Sequence, residues 1–460
     1  MADKWPLANG NWSNAANWNG GTKPVAGDDV YADGRTLNVD ESFDVATLRN
    51  TQRSGGTIGG VFNFNTSGIT ANITGAVSLG GASGSFSISA STGTITIIVG
   101  SPLSIPNVGA GFNGFLYTGL CNLTMTSPAF NGVQVAVGVS NISLINKTSS
   151  GTITLNGNVV SGNSSGSANN NNALFSTAGA TIVNGNVSGF ATGTGNFTPN
   201  YGINQNGGTL VVNGNVVGGG ASNATTAGIL FSGTSMTING NVTGGTTGLG
   251  ISTSSPLNTI TGTVTGSAAV AFSTSGATNN ITGNVTAGTV AAITSTSANI
   301  INVTGTVTAS ATAPAIQSTN TNGQVYLNGN MVNNNGKMAI YAPIVWLDRT
   351  GTTQADFFTS GGVARTLYSE DTVPNTPAVN NVRSGTIYGA GNTLVGTIVM
   401  PTAANVRSGV VYDNGTTGTA LFTTSLFLTE LSSSTVPVAV RMQNLCTPMI
   451  LGELMEAYKR

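Results

Sequence analysis

One phrase, repeated with small changes, constrains this chain more than any other feature. It reads "LNGNVV" (155–160), "VNGNVS" (183–188), "VNGNVV" (212–217), "INGNVT" (238–243), "ITGTVT" (260–265), "ITGNVT" (281–286), "VTGTVT" (303–308) and "LNGNMV" (327–332). The central glycines are Gly157, Gly185, Gly214, Gly240, Gly262, Gly283, Gly305 and Gly329, at spacings of 28, 29, 26, 22, 21, 22 and 24 residues. A second apolar phrase follows each: "ALF" (173–175), "YGI" (201–203), "GIL" (228–230), "LGI" (249–251), "VAF" (270–272), "AAI" (291–293), "PAI" (314–316) and "AIY" (339–341). Two fixed strands and a variable loop in every 21–29 residues are the pattern of a solenoid.

Helical solenoids do not fit, because Gly, Thr, Asn and Val are weak helix formers and the apolar period is two. Leucine-rich repeats lack their leucine ladder here. A disordered tract is also a poor reading. Gly, Ser, Thr and Asn are abundant and only 6% of residues are charged, yet 39% are apolar and the net charge is −1. The expected fold is all-β: a parallel β-helix with a corner at each of these glycines and Val and Ile stacked inward. At a strand spacing of ~4.8 Å, eight coils span roughly 40 Å. Residues 55–150 read as further, less regular coils.

The organisation expected is three parts. Residues 1–54 form an N-terminal cap and first coils, with Trp5, Trp12 and Trp18 plugging the open end; 55–350 form the shaft; 351–460 form a small β domain. That last part carries a duplicated phrase, "NVRSGTIYG" (381–389) and "NVRSGVVYD" (405–413). It closes with a short helix: Thr447 as N-cap, Pro448 at the first helical position, and Ile450, Leu454 and Tyr458 on one face. An apolar helical face at a terminus has to dock, on its own domain or on sister chains, so these three residues are interface candidates. Arg383 and Arg407 occupy matching places in the duplicated phrase. They read as arginines that tie a turn or pair with Asp371 or Asp413, or as part of an interface.

Catalysis is hard to place on this chain. All fifteen carboxylates lie within 3–44 or 348–456; from Val45 to Leu347 there is no Asp or Glu, and from Thr148 to Gly336 no charged residue. The shaft therefore cannot host a glycosidase carboxylate pair. With no histidine, Ser-His-Asp and Cys-His systems and His-ligated metals are excluded. The expectation is a non-enzyme with no cofactor. Asp28, Asp29, Asp33 and Asp40 cluster at a spacing that could bind Ca²⁺, but turn-capping aspartates are the preferred reading, so no metal is expected. Gly-rich phrases lack the Lys or Arg of a phosphate loop. The pI of 5.4 gives no basic footprint for nucleic acid. No apolar run reaches the length of a membrane span, and the first residues lack a signal-peptide core, which points to assembly in a cytoplasm. Cys121 and Cys446 read as buried free thiols. "TVT" phrases form short threonine ladders.

Two stretches carry a resemblance. "NWSNAANWNGG…GDDVYADGRTLNVD" is similar to the starts of β-helical proteins from tailed-phage structural modules. "VRSGTIYG…TLVGTIVMP…NVRSGVVYDNGTTGTA" resembles a segment recurrent in phage virion proteins. The resemblance implies a virion structural protein assembled in the host cytoplasm, of tail fibre, tail spike or other tail-appendage type, serving host attachment or spacing. A capsid decoration protein or head fibre is the alternative. It also implies a homotrimer, contacts with other virion proteins in tail or capsid, and an Asn/Ser/Thr loop surface (160–172, 191–200, 218–227) able to meet a host-surface glycan. Unlike glycan-cleaving tailspikes, this shaft carries no acids.

Overall fold

The computed structural model describes residues 2–79, 86–105, 113–132, 143–161, 169–189, 198–219, 226–297 and 299–309. Beyond these it describes 315–318, 324–328, 331–333, 340–341, 344–347, 366–369, 387–388, 394–395, 411–412 and 416–417. The chain divides into two units. One is Met1–Val325 with Gly329–Ala342 and Asp356–Phe358; the other is Tyr326–Asn328, Pro343–Ala355 and Thr359–Arg460.

The first unit is a parallel β-solenoid. Most coils have three strands rather than the two read from the sequence, because the glycine phrase bends into two; Asn122–Gly132 and Ile153–Val160 instead run through as single strands. In one three-stranded coil the strands are Thr209–Asn213, then Val216–Val217 past the Gly214 corner, then Ala227–Phe231. Each pairs in parallel with its equivalent in the next coil: Val212 with Ile238, Val216 with Val242, Ile229 with Ile251. The third strands make a continuous fourteen-stranded sheet from Gly10–Asn11 to Ile340–Tyr341. Residues of the expected cap already belong to the coils, since Asp3–Lys4 pairs with Asp29–Val30 and Asp29–Tyr31 with Thr47–Arg49.

Alternation along each strand sets the core. In Thr209–Asn213, Leu210 and Val212 point inward and are buried, while Asn213 is exposed. Stacking repeats this coil by coil, so Val187, Val216, Val242, Val264, Val285 and Val307 form one buried column. Each such side chain contributes roughly 1.5–3 kcal/mol by leaving water. At the N-terminal end the core holds an aromatic stack. Trp18 meets Trp12 edge-on at 5.0 Å, Trp12 stacks on Phe43 at 4.0 Å, and Phe64, Phe86 and Phe115 continue at 4.9 and 5.1 Å. Trp12 and Trp18 are fully buried. Trp5 is not in this plug; it lies half-buried with the Arg53 guanidinium 4.0 Å over its ring.

The corner glycines are spaced by the stack itself. A Cβ at Gly185, Gly214, Gly240, Gly262, Gly283 or Gly305 would overlap the carbonyl oxygen of the corner glycine one coil below, and at Gly157 the carbonyl of Ser127. Gly262 also has φ +144°, a region side chains avoid. Gly329 lies outside the described residues.

In the second unit, Ile344–Leu347 pairs in parallel with Thr366–Ser369. Ile387–Tyr388 pairs antiparallel with Leu394–Val395, and Val411–Tyr412 with Thr416–Thr417. The duplicated phrase thus supplies the first strand of each ribbon. The expected terminal helix, and with it Ile450, Leu454 and Tyr458, lies outside the described residues, as do Arg383, Arg407 and Cys446.

Candidate functional site: an uncharged ladder surface and a buried amine

The two asparagines of "NGN" do different jobs, and neither is solvated filler. The first forms an exposed amide ladder. Asn184 Nδ2 donates to Asn156 Oδ1 at 2.8 Å, Asn213 to Asn184 at 2.7 Å, and Asn239 to Asn213 at 2.7 Å. The second accepts from the main chain of the coil above. Asn158, Asn186, Asn215 and Asn241 receive the backbone N–H of Asn186, Asn215, Asn241 and Thr263 at 2.9, 2.8, 2.8 and 2.7 Å, and Asn284 receives that of Thr306 at 2.9 Å. Where the glycine corner interrupts the strand, as at Gly185 and Gly214, the asparagine side chain restores the partner of an interrupted N–H. A neighbouring column carries Asn302 Nδ2 to Asn280 Oδ1 at 2.7 Å.

Outward residues of the second strand form the threonine column seen in the "TVT" phrases. Thr243, Thr265, Thr286 and Thr308 are in register and half-exposed. Together with the asparagines they give two faces of hydroxyl and amide groups, repeating at the strand spacing of ~4.8 Å. Such a surface can exchange hydrogen bonds with a neutral polar partner. It holds no group able to move a proton at neutral pH.

Among the described residues, the shaft encloses one amine beside buried Tyr117, Cys121 and Tyr201. Lys147 is fully buried. Its Nζ donates to Ser149 O at 3.0 Å and to Ala178 O in the next coil, and sits 6.0 Å from the Tyr117 ring centroid. Burial lowers its ammonium to about 8. Tyr117, one coil below and in register with it, donates its hydroxyl to Cys121 O. Burial, then the neighbouring Cys121, raises the Tyr117 hydroxyl, and burial raises the Cys121 thiol. These residues belong to an inward column at the end of the third strand whose members tie down the following turn. Ser176 donates to Ala178 O at 3.3 Å, Gln205 to Gly207 O and Thr209 O at 2.7 and 2.9 Å, and Thr274 Oγ1 to Asn279 Oδ1 at 3.0 Å. Lys147 is the longest member, spanning two coils. Its inward position follows from parity with Ile145, two residues earlier.

The aspartates of the N-terminal cluster each hold local backbone or a neighbouring side chain. Asp28 accepts from Ala2 N and Val25 N at 3.0 and 3.1 Å, and Asp40 from Ser13 N and Oγ at 2.9 and 2.6 Å. Asp29 accepts from Thr47 Oγ1 at 2.6 Å, and Asp33 pairs with Arg53 at 2.8 Å. The structure brings none of the four to a common point among these contacts. The loops at 160–172, 191–200 and 218–227 lie largely outside the described residues. Among the described residues, no helix is long and apolar enough to cross a membrane. Compared with family models, curated proteins and solved structures, the chain matches none.

Proposed function

We propose that this chain is a non-enzymatic structural protein of a bacteriophage virion, a tail fibre, tail spike or other tail appendage acting as a stiff spacer or host-attachment rod. The observation that carries the reading is the shaft. Its coils are bonded to one another through main chain, glycine corners and asparagine ladders, and from Val45 to Leu347 there is no carboxylate. Structure of this kind spends its polar groups on stacking and keeps none for acid–base chemistry. The resemblance of the N- and C-terminal phrases to tailed-phage virion proteins supports placing it in a virion. Homotrimer formation belongs to the same reading, with the 351–460 region as the anchoring or trimerising part and a host-surface glycan as the outward partner.

Immunogold electron microscopy of virions with an antibody against 351–460 tests this directly. Label on the tail or its tip is the expected result. Label over the head would make the chain a capsid decoration protein or head fibre, and unlabelled particles would overturn the virion reading. Light scattering on the purified chain tests the trimer, for which a monomeric mass is the contrary result.

A further inference from the structure

The repeat is written with Asn–Gly, the dipeptide most prone to self-modification, because glycine leaves its own nitrogen unobstructed beside the asparagine amide. Asparagine is among the thermolabile residues for this reason. The reaction needs a side-chain amide free to turn onto its own chain, and a following N–H without a hydrogen-bond partner.

Coil stacking holds the asparagine amides along the ladder, and at Gly214 and Gly240 it also occupies the following N–H. Asn213 donates to Asn184 and accepts from Asn239, both at 2.7 Å, while Gly214 N donates to Asn239 O at 3.0 Å. Asn239 donates to Asn213, and Gly240 N is bonded to Thr261 O at 2.8 Å. Asn156 and Asn184 are held at both ends of their amides. Near the N-terminus, Asn9 and Asn19 are held by Thr36 N and Trp5 N at 2.9 and 2.8 Å. Asn131 and Gly132 lie in an extended strand, with Asn131 paired to Ser104 on one side and Val160 on the other.

Asn206 differs from all of these. It sits in the turn after the strand Thr198–Gln205, and its side chain is exposed. Its backbone N–H is tied to Ser176 O at 2.8 Å, but among the described contacts its amide has no partner and Gly207 N–H donates to none. Gly208 follows with φ +70°, so two glycines leave the bend unencumbered. The equivalent turns below and above read Ser176-Thr177-Ala178-Gly179 and Phe231-Ser232-Gly233-Thr234, without this pair.

We propose that Asn206 is a modification site, the position among the described Asn–Gly pairs at which the folded shaft deamidates spontaneously. Hydroxide removes the Gly207 N–H proton, and the nitrogen attacks Asn206 Cγ. A C–N bond forms, the Cγ–NH₂ bond breaks, and ammonia leaves. Water then opens the succinimide at either carbonyl, giving aspartate or isoaspartate. The net change is amide plus water to carboxylic acid plus ammonia. The product is the first carboxylate in a tract that otherwise has none from Val45 to Leu347. Its isoaspartyl form also inserts a methylene into the main chain at a turn that two neighbouring coils contact.

The test is to incubate the folded full-length chain at pH 8 and map it over time by mass spectrometry after peptic digestion in acid. Cleavage by a protease specific for the N-terminal side of aspartate reports the aspartyl fraction, since the unmodified tract from Val45 to Leu347 offers it no target. Asn206 should convert at least about tenfold faster than Asn213 or Asn239, equivalent to about 1.4 kcal/mol in barrier. In urea the three should converge. Equal rates in the folded chain would overturn the proposal, as would an unchanged Asn206 where the urea-unfolded chain reacts. Asn206→Ser should abolish the early product and leave the ladder rates alone; the same product from that variant would also overturn it.

Discussion

Lys147 makes the pH dependence of this solenoid calculable. Its amine is fully buried with no carboxylate in the surrounding coils, and burial lowers it from 10.5 to about 8. Below pH 8 both folded and unfolded chains carry the proton, and the folded state bears the cost of a buried charge. Between 8 and 10.5 the folded chain releases the proton while the unfolded chain keeps it, so stability rises with pH across that window. A shift from 10.5 to about 8 corresponds to about 3 kcal/mol at full development. Cys121, Tyr117 and Tyr201 work the other way: burial raises each of them, so stability falls once their unfolded forms ionise, near pH 9 for the thiol and near 10 for the phenols. Lys147→Met removes the rising component and leaves the falling ones. Urea unfolding followed by far-UV circular dichroism at pH 7, 8, 9 and 10 on both proteins isolates it. The wild type should gain about 2–3 kcal/mol relative to the variant between pH 7 and 10. Parallel curves would refute the reasoning and mean that the carbonyls of Ser149 and Ala178 hold the ammonium as well as water does.

Other perturbations follow from the same geometry. Gly262→Ala places a Cβ against the Gly240 carbonyl at a positive φ and should cost about 2–4 kcal/mol, read as a lower urea midpoint. Asn213→Ala removes two ladder hydrogen bonds for about 1–2 kcal/mol, whereas Asn213→Thr should be milder, because threonine stands at the equivalent Thr261. Val242→Asp puts an unpartnered carboxylate at a fully buried site and should give insoluble protein, while Thr243→Ser should leave yield and melting unchanged. Phe86→Ala opens the aromatic stack and should cost about 3–5 kcal/mol, seen by calorimetry.

The parts of this molecule legible in its sequence are those enforced by stacking. Glycine at 157, 185, 214, 240, 262, 283 and 305 repeats because any side chain meets the coil below, and the alternation of Val242 with Thr243 reports inside and outside directly. Two strands around glycines such as Gly185 and Gly214 read as one, since only two residues separate them and period two runs through the bend. The ladder roles of Asn156 and Asn158 were hidden because hydrogen bonds between coils link residues 26–29 apart in the early repeats, a distance at which composition carries no signal. Asn258 and Asn279 were hidden likewise: they lie in an inward column between Met236 and Ile301, partnered by Thr253 and Thr274. Trp5 was grouped with Trp12 and Trp18 by composition, but its partner Arg53 comes from a later coil.

Because every coil bonds only to the coils beside it, and the bonds recur at equivalent positions, length becomes a separable property of this protein. Excising Asn241–Gly262 would join Gly240 to Thr263 and remove one coil in register: Asn215 Oδ1, now bonded to Asn241 N, would meet Thr263 N, which already bonds to Asn241 Oδ1 in the same manner. Val216 would stack on Val264 instead of Val242, and the assembly would shorten by one strand spacing, ~4.8 Å. Lineages could therefore tune reach in discrete steps by gaining or losing whole coils at a glycine corner, with no redesign of the core or of either end.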